Sequence, residues 1–167
     1  REGSRFFGDQ EIYVQELDLK TMKLTGESWP IWNGALRGVE WAEGPHIFKK
    51  DGWYYLMISE AGTGHMHCVT MARSKNIRER FEGYNGNPVL THRHLGVNYP
   101  IVNVGHPDIV ETQNGEWWMV LLASRPYGGY YRNLGRETFL VPFEWENGWP
   151  LINPGIGLVE DTFTAPD

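Results

Sequence analysis

The sequence has very little cysteine and no long apolar stretch. Among its 167 residues Cys68 is the only cysteine, which excludes an internal disulfide and a CxxC metal site. We expect Cys68 to be a small buried residue. The longest apolar runs hold four to six residues, as in 119–123, and are too short to cross a membrane. We therefore expect neither an internal disulfide nor a membrane-spanning run within this chain.

Concentrated positive charge is also missing. The formal net charge is −6, and no run of Lys or Arg forms a stripe along the chain. Binding to a nucleic-acid backbone requires clustered positive charge. We therefore expect no nucleic-acid partner.

Helical periodicity is nearly absent, whereas turn residues are frequent. The 20 glycines and 10 prolines recur at short intervals, which favours many short strands. Glu11–Leu19 alternates apolar and polar side chains as a strand does. Asp51-Gly52 and Asn114-Gly115 are strong hairpin dipeptides between apolar runs. The pattern predicts an all-β fold.

The two hairpins belong to a repeat with an offset of about 62 to 64 residues. Each copy has an inner strand, a tight turn, a middle strand, a third strand with an arginine and an outer segment, which is the order of a propeller blade. The predicted outer segments lie around Phe81-Glu82 and around Phe143–Trp145. Two blades do not close a ring, so we expect part of a propeller, with Glu11–Leu19 as the remnant of a preceding blade.

Three polar residues stand at positions that favour chemistry. Glu43 opens the first inner strand, where a carboxyl would face the central channel, although a surface glutamate at a strand end is the alternative. His106 occupies the corresponding place in the second copy, or is simply a polar residue with satisfied hydrogen bonds. Arg136 could hold sugar hydroxyls, or form a salt bridge with Glu137 or a neighbouring blade. The aromatic content of 14% suits either a wall for a sugar ring or core packing.

Taken together, several ordered segments resemble glycoside hydrolase family 43, the family of β-xylosidases and α-L-arabinofuranosidases. The resemblance covers nearly the whole chain and rests on the order of the segments rather than on any one of them. They are Glu43-Gly44-Pro45-His46-Ile47-Phe48-Lys49, Glu60-Ala61-Gly62-Thr63-Gly64, Ala72-Arg73-Ser74, Val104-Gly105-His106, Gly135-Arg136-Glu137-Thr138 and Trp145-Glu146-Asn147-Gly148-Trp149-Pro150.

The resemblance implies a five-bladed β-propeller and assigns roles to four residues. Glu43 matches the general acid, and Thr63, His106 and Arg136 match residues that bind the substrate. No cofactor is required, although the resemblance allows a calcium ion on the propeller axis near His106, held through water. The Glu60–Thr63 turn has Ala61 where the family has glycine, and we expect this to disturb the turn little.

The family's general base and the aspartate that modulates its acid have no counterpart in this chain. Inversion requires two carboxyls about 6.5 to 9.5 Å apart with a water between them. Asp9 and Asp108 do not stand in the matching context. We therefore expect that this chain alone is inactive and that its partner is the remainder of its own propeller.

The predicted organisation is a partial catalytic propeller over 1–160, followed by 161–167 as the start of a linker toward a C-terminal β-sandwich domain. The predicted function is inverting hydrolysis of β-xylosides or α-L-arabinofuranosides in pentose-containing plant polysaccharides or oligosaccharides. A non-catalytic carbohydrate-binding propeller module is the alternative. Aspartates at inner strands of preceding blades would distinguish the enzyme from the binding module.

Overall fold

A computed structural model describes residues 3–165, which form an all-β structure whose one helix in that range is the short 3-10 turn Arg93–Leu95. Within the described range no helix has the length and apolar character to span a membrane. The strands are β1 (Ile12–Asp18), β2 (Lys23–Trp32), β3 (Glu43–Lys50), β4 (Trp53–Glu60), β5 (Cys68–Ser74), β6 (Glu82–Gly83), β7 (Leu90–Thr91), β8 (Val102–Glu111), β9 (Trp117–Ser124), β10 (Glu137–Glu146) and β11 (Trp149–Ile152).

The strands form three antiparallel sheets that follow one another along the chain. The first blade has the order β3-β4-β5-β6, with β7 pairing the other end of β5. The second blade has the order β11-β10-β9-β8. Ahead of them, β1 and β2 form a two-stranded hairpin. Each blade thus begins with its inner strand, β3 or β8.

The two predicted hairpin dipeptides both form turns, with different backbone geometry. Asp51 and Gly52 both have positive φ, 48° and 73°, as the two central residues of a type I′ hairpin turn require. At the second turn Gly115 has a φ of 84° and donates its N–H to the Thr112 carbonyl at 3.0 Å. Both turns join an inner strand to the middle strand of its blade, as the repeat predicts.

The middle strand of the first blade is buried on both faces and holds the three sheets together. Tyr55 and Met57 point into the apolar layer shared with the second blade. Leu56 and Ile58, on the opposite face, pack into the layer beneath the β1–β2 hairpin. Because successive side chains in a strand alternate between faces, one strand serves both layers. This face-to-face stacking fixes the inner strands beside each other.

At the outer side, the first blade holds the β10–β11 turn of the second. The Tyr55 hydroxyl donates to the Gly148 carbonyl at 2.8 Å, and Arg73 donates to the same oxygen at 3.2 Å. The Arg73 guanidinium also lies between Trp53 and Trp149, 4.3 and 4.5 Å from the two ring centroids. These contacts link the arginine of the third strand to blade packing rather than to the site.

The predicted all-β propeller blades are confirmed, with two differences in detail. The segment Phe143–Trp145 was predicted as an outer strand, which is wrong, because β10 runs unbroken through it and the outer strand is β11. The expected blade remnant at Glu11–Leu19 is a hairpin, since β2 pairs with β1. Of the linker predicted at 161–167, residues 166 and 167 lie outside the described range, and its role stays a prediction.

Cys68 is fully buried at the start of β5, as expected for a lone cysteine used in packing. Burial, with the nearby Glu60 carboxylate as a second cause, raises the pKa of the Cys68 thiol to about 12. A thiol in this state is a poor nucleophile, because the thiolate is the reactive form.

His92 ties the segment that follows the second blade to the start of β8. Its ring is buried, its Nδ1 lies 2.7 Å from the Ile101 carbonyl, and its Nε2 accepts the Val159 N–H at 3.0 Å. This pairing requires the neutral ring with a proton on Nδ1. Burial lowers the pKa of His92 below its usual range.

The lowered pKa of His92 predicts destabilisation in acid. The unfolded chain takes up a proton below about pH 6.5 and the folded chain does not, so stability is complete above that pH and falls below it. Each such histidine contributes a slope of at most about 1.4 kcal/mol per pH unit. In the full-length protein carrying this chain, His92→Gln should lower Tm at pH 7.5 but make the fall in Tm toward pH 5 shallower.

His94→Gln is the matched control, because His94 is exposed two residues away. Its Tm should follow the wild-type pH profile. If Tm fell with pH at the same slope in His92→Gln and in wild type, neutral His92 would not be a source of the acid destabilisation.

Candidate active site

Glu43 is the first residue of β3, at the inner end of the first blade. It is half-buried and pairs in register with the buried Ser59 of β4. Among residues 3–165 its carboxyl has no hydrogen-bond or ion-pair partner. A half-buried carboxyl without a structural partner is available to a ligand.

His106 of β8 lies directly against the residue that follows Glu43. A Cβ built on Gly44 would come within 2.9 Å of His106 Cε1, so the imidazole occupies the space that a side chain at position 44 would need. The His106 N–H also donates to the hydroxyl of Ser59, the register partner of Glu43. The structure therefore brings the start of β3 against the middle of β8.

Thr63 and Arg136 meet in a separate open pocket of about 440 Å³. Arg132 connects the two sides of this pocket, because its guanidinium lies 4.4 Å from the centroid of Tyr130 and donates to the Thr63 carbonyl at 3.4 Å. Glu43 does not line this pocket. The complete lining is Thr63, Ser124, Tyr130, Tyr131, Arg132, Asn133, Gly135 and Arg136.

His67 is buried against β8, the strand that carries His106. It is 1% exposed, and a Cβ on Gly105 would come within 2.4 Å of its Nε2. Its pKa is lowered by burial first and, to a smaller extent, by the charges of His106 and Arg136.

Arg136 does not form the salt bridge with Glu137 that the sequence allowed, because Glu137 pairs with Arg125 instead. Glu137 accepts hydrogen bonds from Nε and one terminal nitrogen of Arg125, and this pairing lowers the pKa of Glu137. Asp161 lies 3.9 Å from Arg125 as well. Within residues 3–165 the Arg136 guanidinium has no carboxylate partner, so it is free to meet a ligand.

Unusual backbone conformations concentrate around the inner strand ends. Trp41, Ala61, Asn103 and His106 have φ values of 57°, 70°, 61° and 52°, in the left-handed region that side chains disfavour. Trp41 packs against Gly62, where a Cβ would come within 2.5 Å of the indole. Strained backbone persists only where surrounding contacts enforce it, and it concentrates at functional sites.

Several polar residues of this region were not predicted from the sequence. Asn103 accepts the Tyr130 hydroxyl at 2.5 Å through its side chain, and its carbonyl lies 2.9 Å from His67 Nδ1. Two buried atoms of this cluster, His67 Nε2 and Asn103 Nδ2, have no hydrogen-bond partner among the described residues. The only sequence signal was that they fall in loops and strand ends rich in His, Gly and Tyr.

The chain's own residues do not fit a directly bound calcium ion. Calcium takes six to eight oxygen ligands, whereas His106 offers ring nitrogen and the neighbouring His67 is buried against Gly105. Within 3–165 no group of three or more His, Cys, Asp or Glu could hold a metal. A water-mediated ion near His106 stays a prediction, and no step below depends on it.

These features define a class of protein, a partial β-propeller whose candidate site lies where its two inner strands meet. Residues 2–150 match the family model described as glycosyl hydrolases family 43. The chain belongs to this family.

Similar proteins support the same assignment. A xylosidase/arabinosidase of Butyrivibrio fibrisolvens is 56% identical over 160 residues, covering 96% of this chain and 31% of the relative. A non-reducing end alpha-L-arabinofuranosidase of Bacteroides ovatus is 40% identical over 126 residues, covering 75% of this chain and 23% of the relative. The crystal structure of a xylan beta-1,4-xylosidase from Bacillus halodurans is 35% identical, with a TM-score of 0.84, covering all of this chain and 32% of that one. The chain thus spans about a third or less of these relatives.

The strain at Ala61 generates a stability prediction. The Glu60–Thr63 turn forms as expected, but Ala61 adopts it with φ at 70°, where glycine has no penalty. In the full-length protein Ala61→Gly should therefore raise the free energy of unfolding by about 0.5 to 1 kcal/mol.

Ala72→Gly provides the comparison, because Ala72 is fully buried in β5 without positive φ. It should destabilise by about 1 kcal/mol. Denaturant unfolding of the two variants measures both changes, and destabilisation by Ala61→Gly would contradict the strain at this turn.

Proposed function

We propose that the protein carrying this chain hydrolyses O-glycosidic bonds of β-xylosides or α-L-arabinofuranosides in pentose-containing plant polysaccharides or oligosaccharides. The relatives named xylosidase, arabinosidase and arabinofuranosidase support the substrate class. The observation that carries the proposal is the close approach of the His106 ring to Gly44, the residue that follows Glu43 at the start of β3. Family membership gives this contact its chemical interpretation.

Glu43 is the general acid of this proposal. A glycosidic bond breaks when the leaving oxygen gains a proton as its bond to the anomeric carbon lengthens. The half-buried Glu43 carboxyl, unpaired within residues 3–165, is suited to donate that proton and to become a carboxylate. A water attacks the opposite face of the sugar, and the configuration inverts.

The other predicted residues bind the sugar on either side of the bond. His106, supported by Gly44 and Ser59, would orient a hydroxyl next to the reacting carbon. Arg136 and Thr63 line one open pocket, where a guanidinium fork and a hydroxyl can hold sugar oxygens. Fixed hydroxyl contacts hold the reacting atoms in a near-attack arrangement.

The general base must come from outside this chain. Asp108 lies 3.4 Å from His46 in a contact between the inner strands, and the Asp9 carboxylate is held by Arg5. Neither is therefore offered as the base. We expect residues 1–167 alone to be inactive and the remainder of the propeller to supply the base and the aspartate that modulates the acid.

A carbohydrate-binding propeller without catalysis is the second candidate. The open pocket with Thr63 and Arg136 would serve binding equally well. An unpaired Glu43 carboxylate could accept sugar hydroxyls in a binding module as well as serve an enzyme. Aspartates at inner strands of the preceding blades would therefore distinguish the two candidates.

The proposal predicts a selective effect of Glu43→Gln in the full-length protein. Natural oligosaccharides have poor leaving groups and need the proton, so their hydrolysis should fall by about 10²- to 10⁴-fold. Activated aryl pentosides leave without that help and should be affected much less. Measuring kcat/KM for a xylo- or arabino-oligosaccharide and an activated aryl pentoside on one purified variant tests this.

Glu82→Gln is the control, because Glu82 lies exposed on β6 at the outer edge of the blade. It should leave both substrates unaffected. Equal losses on both substrates in Glu43→Gln, with a lower Tm, would show a structural role for Glu43 and refute the assignment. Absence of any pentosidase activity in the wild-type protein would favour the binding module.

A further inference from the structure

Glu60 is a buried carboxylate that the proposed chemistry does not use. It is the last residue of β4 and is 1% exposed. Burying a carboxylate is costly unless hydrogen bonds or ion pairs compensate for the lost water. Its surroundings therefore require an explanation.

Three donors surround this carboxylate. One oxygen accepts the Ala35 N–H and the Thr70 hydroxyl, each at 2.6 Å. The other oxygen accepts the Leu36 N–H at 3.1 Å. No Lys, Arg or His forms an ion pair with Glu60 within the described part of the chain. Successive backbone N–H groups thus form a small anion-binding nest, filled by the protein's own carboxylate.

The nest requires glycine immediately before it. Gly34 has a φ of 89°, and a Cβ there would come within 2.9 Å of the Glu60 carboxyl carbon. Because glycine alone combines this conformation with this close approach, the Glu60 carboxylate and residues 33–36 fit each other closely.

The same end of β4 also holds the far end of this loop. The Ala61 N–H donates to the Glu40 carbonyl at 2.9 Å, and Trp41 lies against Gly62. One residue earlier, Ser59 pairs in register with Glu43 and accepts the His106 N–H. Residues 59–62 therefore fasten both ends of the loop that leads directly into Glu43.

We propose that Glu60 is a positioning residue for Glu43: its buried carboxylate fixes residues 35–36. The backbone after it, at 61–62, holds the other end of the loop at 40–41, and that loop fixes where β3 begins. This inference rests on the proposed general-acid role of Glu43. A proton donor must reach within about 3.2 Å of the leaving oxygen, so a small displacement of its strand end reduces acid catalysis strongly. Glu60 itself does not touch the substrate.

The test is Glu60→Gln in the full-length protein. Glutamine keeps the size of the side chain but turns an NH₂ group toward an N–H or O–H donor, so at least one hydrogen bond is lost. We expect kcat for a xylo- or arabino-oligosaccharide to fall about 10- to 100-fold, as a misplaced group costs. For an activated aryl pentoside, kcat and KM should change by no more than about 3-fold, because that leaving group needs no proton.

Thr70 gives a matched pair that perturbs the carboxylate more gently. Thr70→Val removes one donor at nearly constant volume, whereas Thr70→Ser keeps the hydroxyl. Thr70→Val should lower kcat for the oligosaccharide selectively but by a smaller factor than Glu60→Gln. Thr70→Ser should stay close to wild type on both substrates. If Glu60→Gln does not fold, this pair alone decides the question.

The outcomes separate this inference from the function on which it rests. Equal losses on both substrates in Glu60→Gln or Thr70→Val, accompanied by a lower Tm, would mean that Glu60 only stabilises the blade, and would overturn the inference. That result can occur while Glu43→Gln still shows its selective loss. If Glu43→Gln itself shows no selectivity between the two substrates, the general-acid role of Glu43 is refuted, and the inference about Glu60 is refuted with it. Glu79→Gln, an exposed change outside the nest, should leave both substrates at wild-type rates.

Discussion

The site depends on one close approach between two strands from different blades. The His106 imidazole occupies the space beside Gly44 that any other residue would fill with a side chain. This contact is possible because β4 is buried on both faces and stacks the second blade against the first. Gly44 at the start of β3 and His106 in the middle of β8, more than sixty residues apart in sequence, therefore lie side by side. If the two blades did not stack, the position of the His106 imidazole relative to the Glu43 carboxyl would not be fixed.

Local signals predicted the fold well wherever burial enforced the strand period. The middle strands and their hairpin turns followed from apolar runs after Asp51-Gly52 and Asn114-Gly115. The hairpin strand β2 was missed because most of its residues are exposed and show no alternation. The break before Phe143 was wrong because β10 continues through Pro142, which pairs in register with Trp118 instead of ending the strand. Hydrophobic patterns in a sequence reflect which residues are buried. They therefore do not identify a strand that is mostly exposed, or a proline that a strand accommodates.

The candidate site was less accessible to sequence reasoning, for a physical reason. Position along the predicted strands singled out Glu43, His106 and Arg136, and the resemblance added Thr63 and the roles of all four. The residues that hold them act through contacts distant in the chain. Ser59 meets the His106 N–H across 47 positions. Glu60 appeared only as part of a turn motif, although its carboxylate holds backbone 24 and 25 residues upstream. A single sequence carries no sign of such pairings, because they are set by how the blades and loops stack.

In the proposed function, Glu43, His106 and Arg136 face one bound sugar. A crystal structure of the full-length protein with Glu43→Gln and an uncleaved xylo- or arabino-oligosaccharide would test this arrangement. We expect the side chain at position 43 within about 3.2 Å of a glycosidic oxygen, with His106 and Arg136 contacting the same sugar. A sugar bound away from position 43, or contacting Arg136 but not the start of β3, would contradict it.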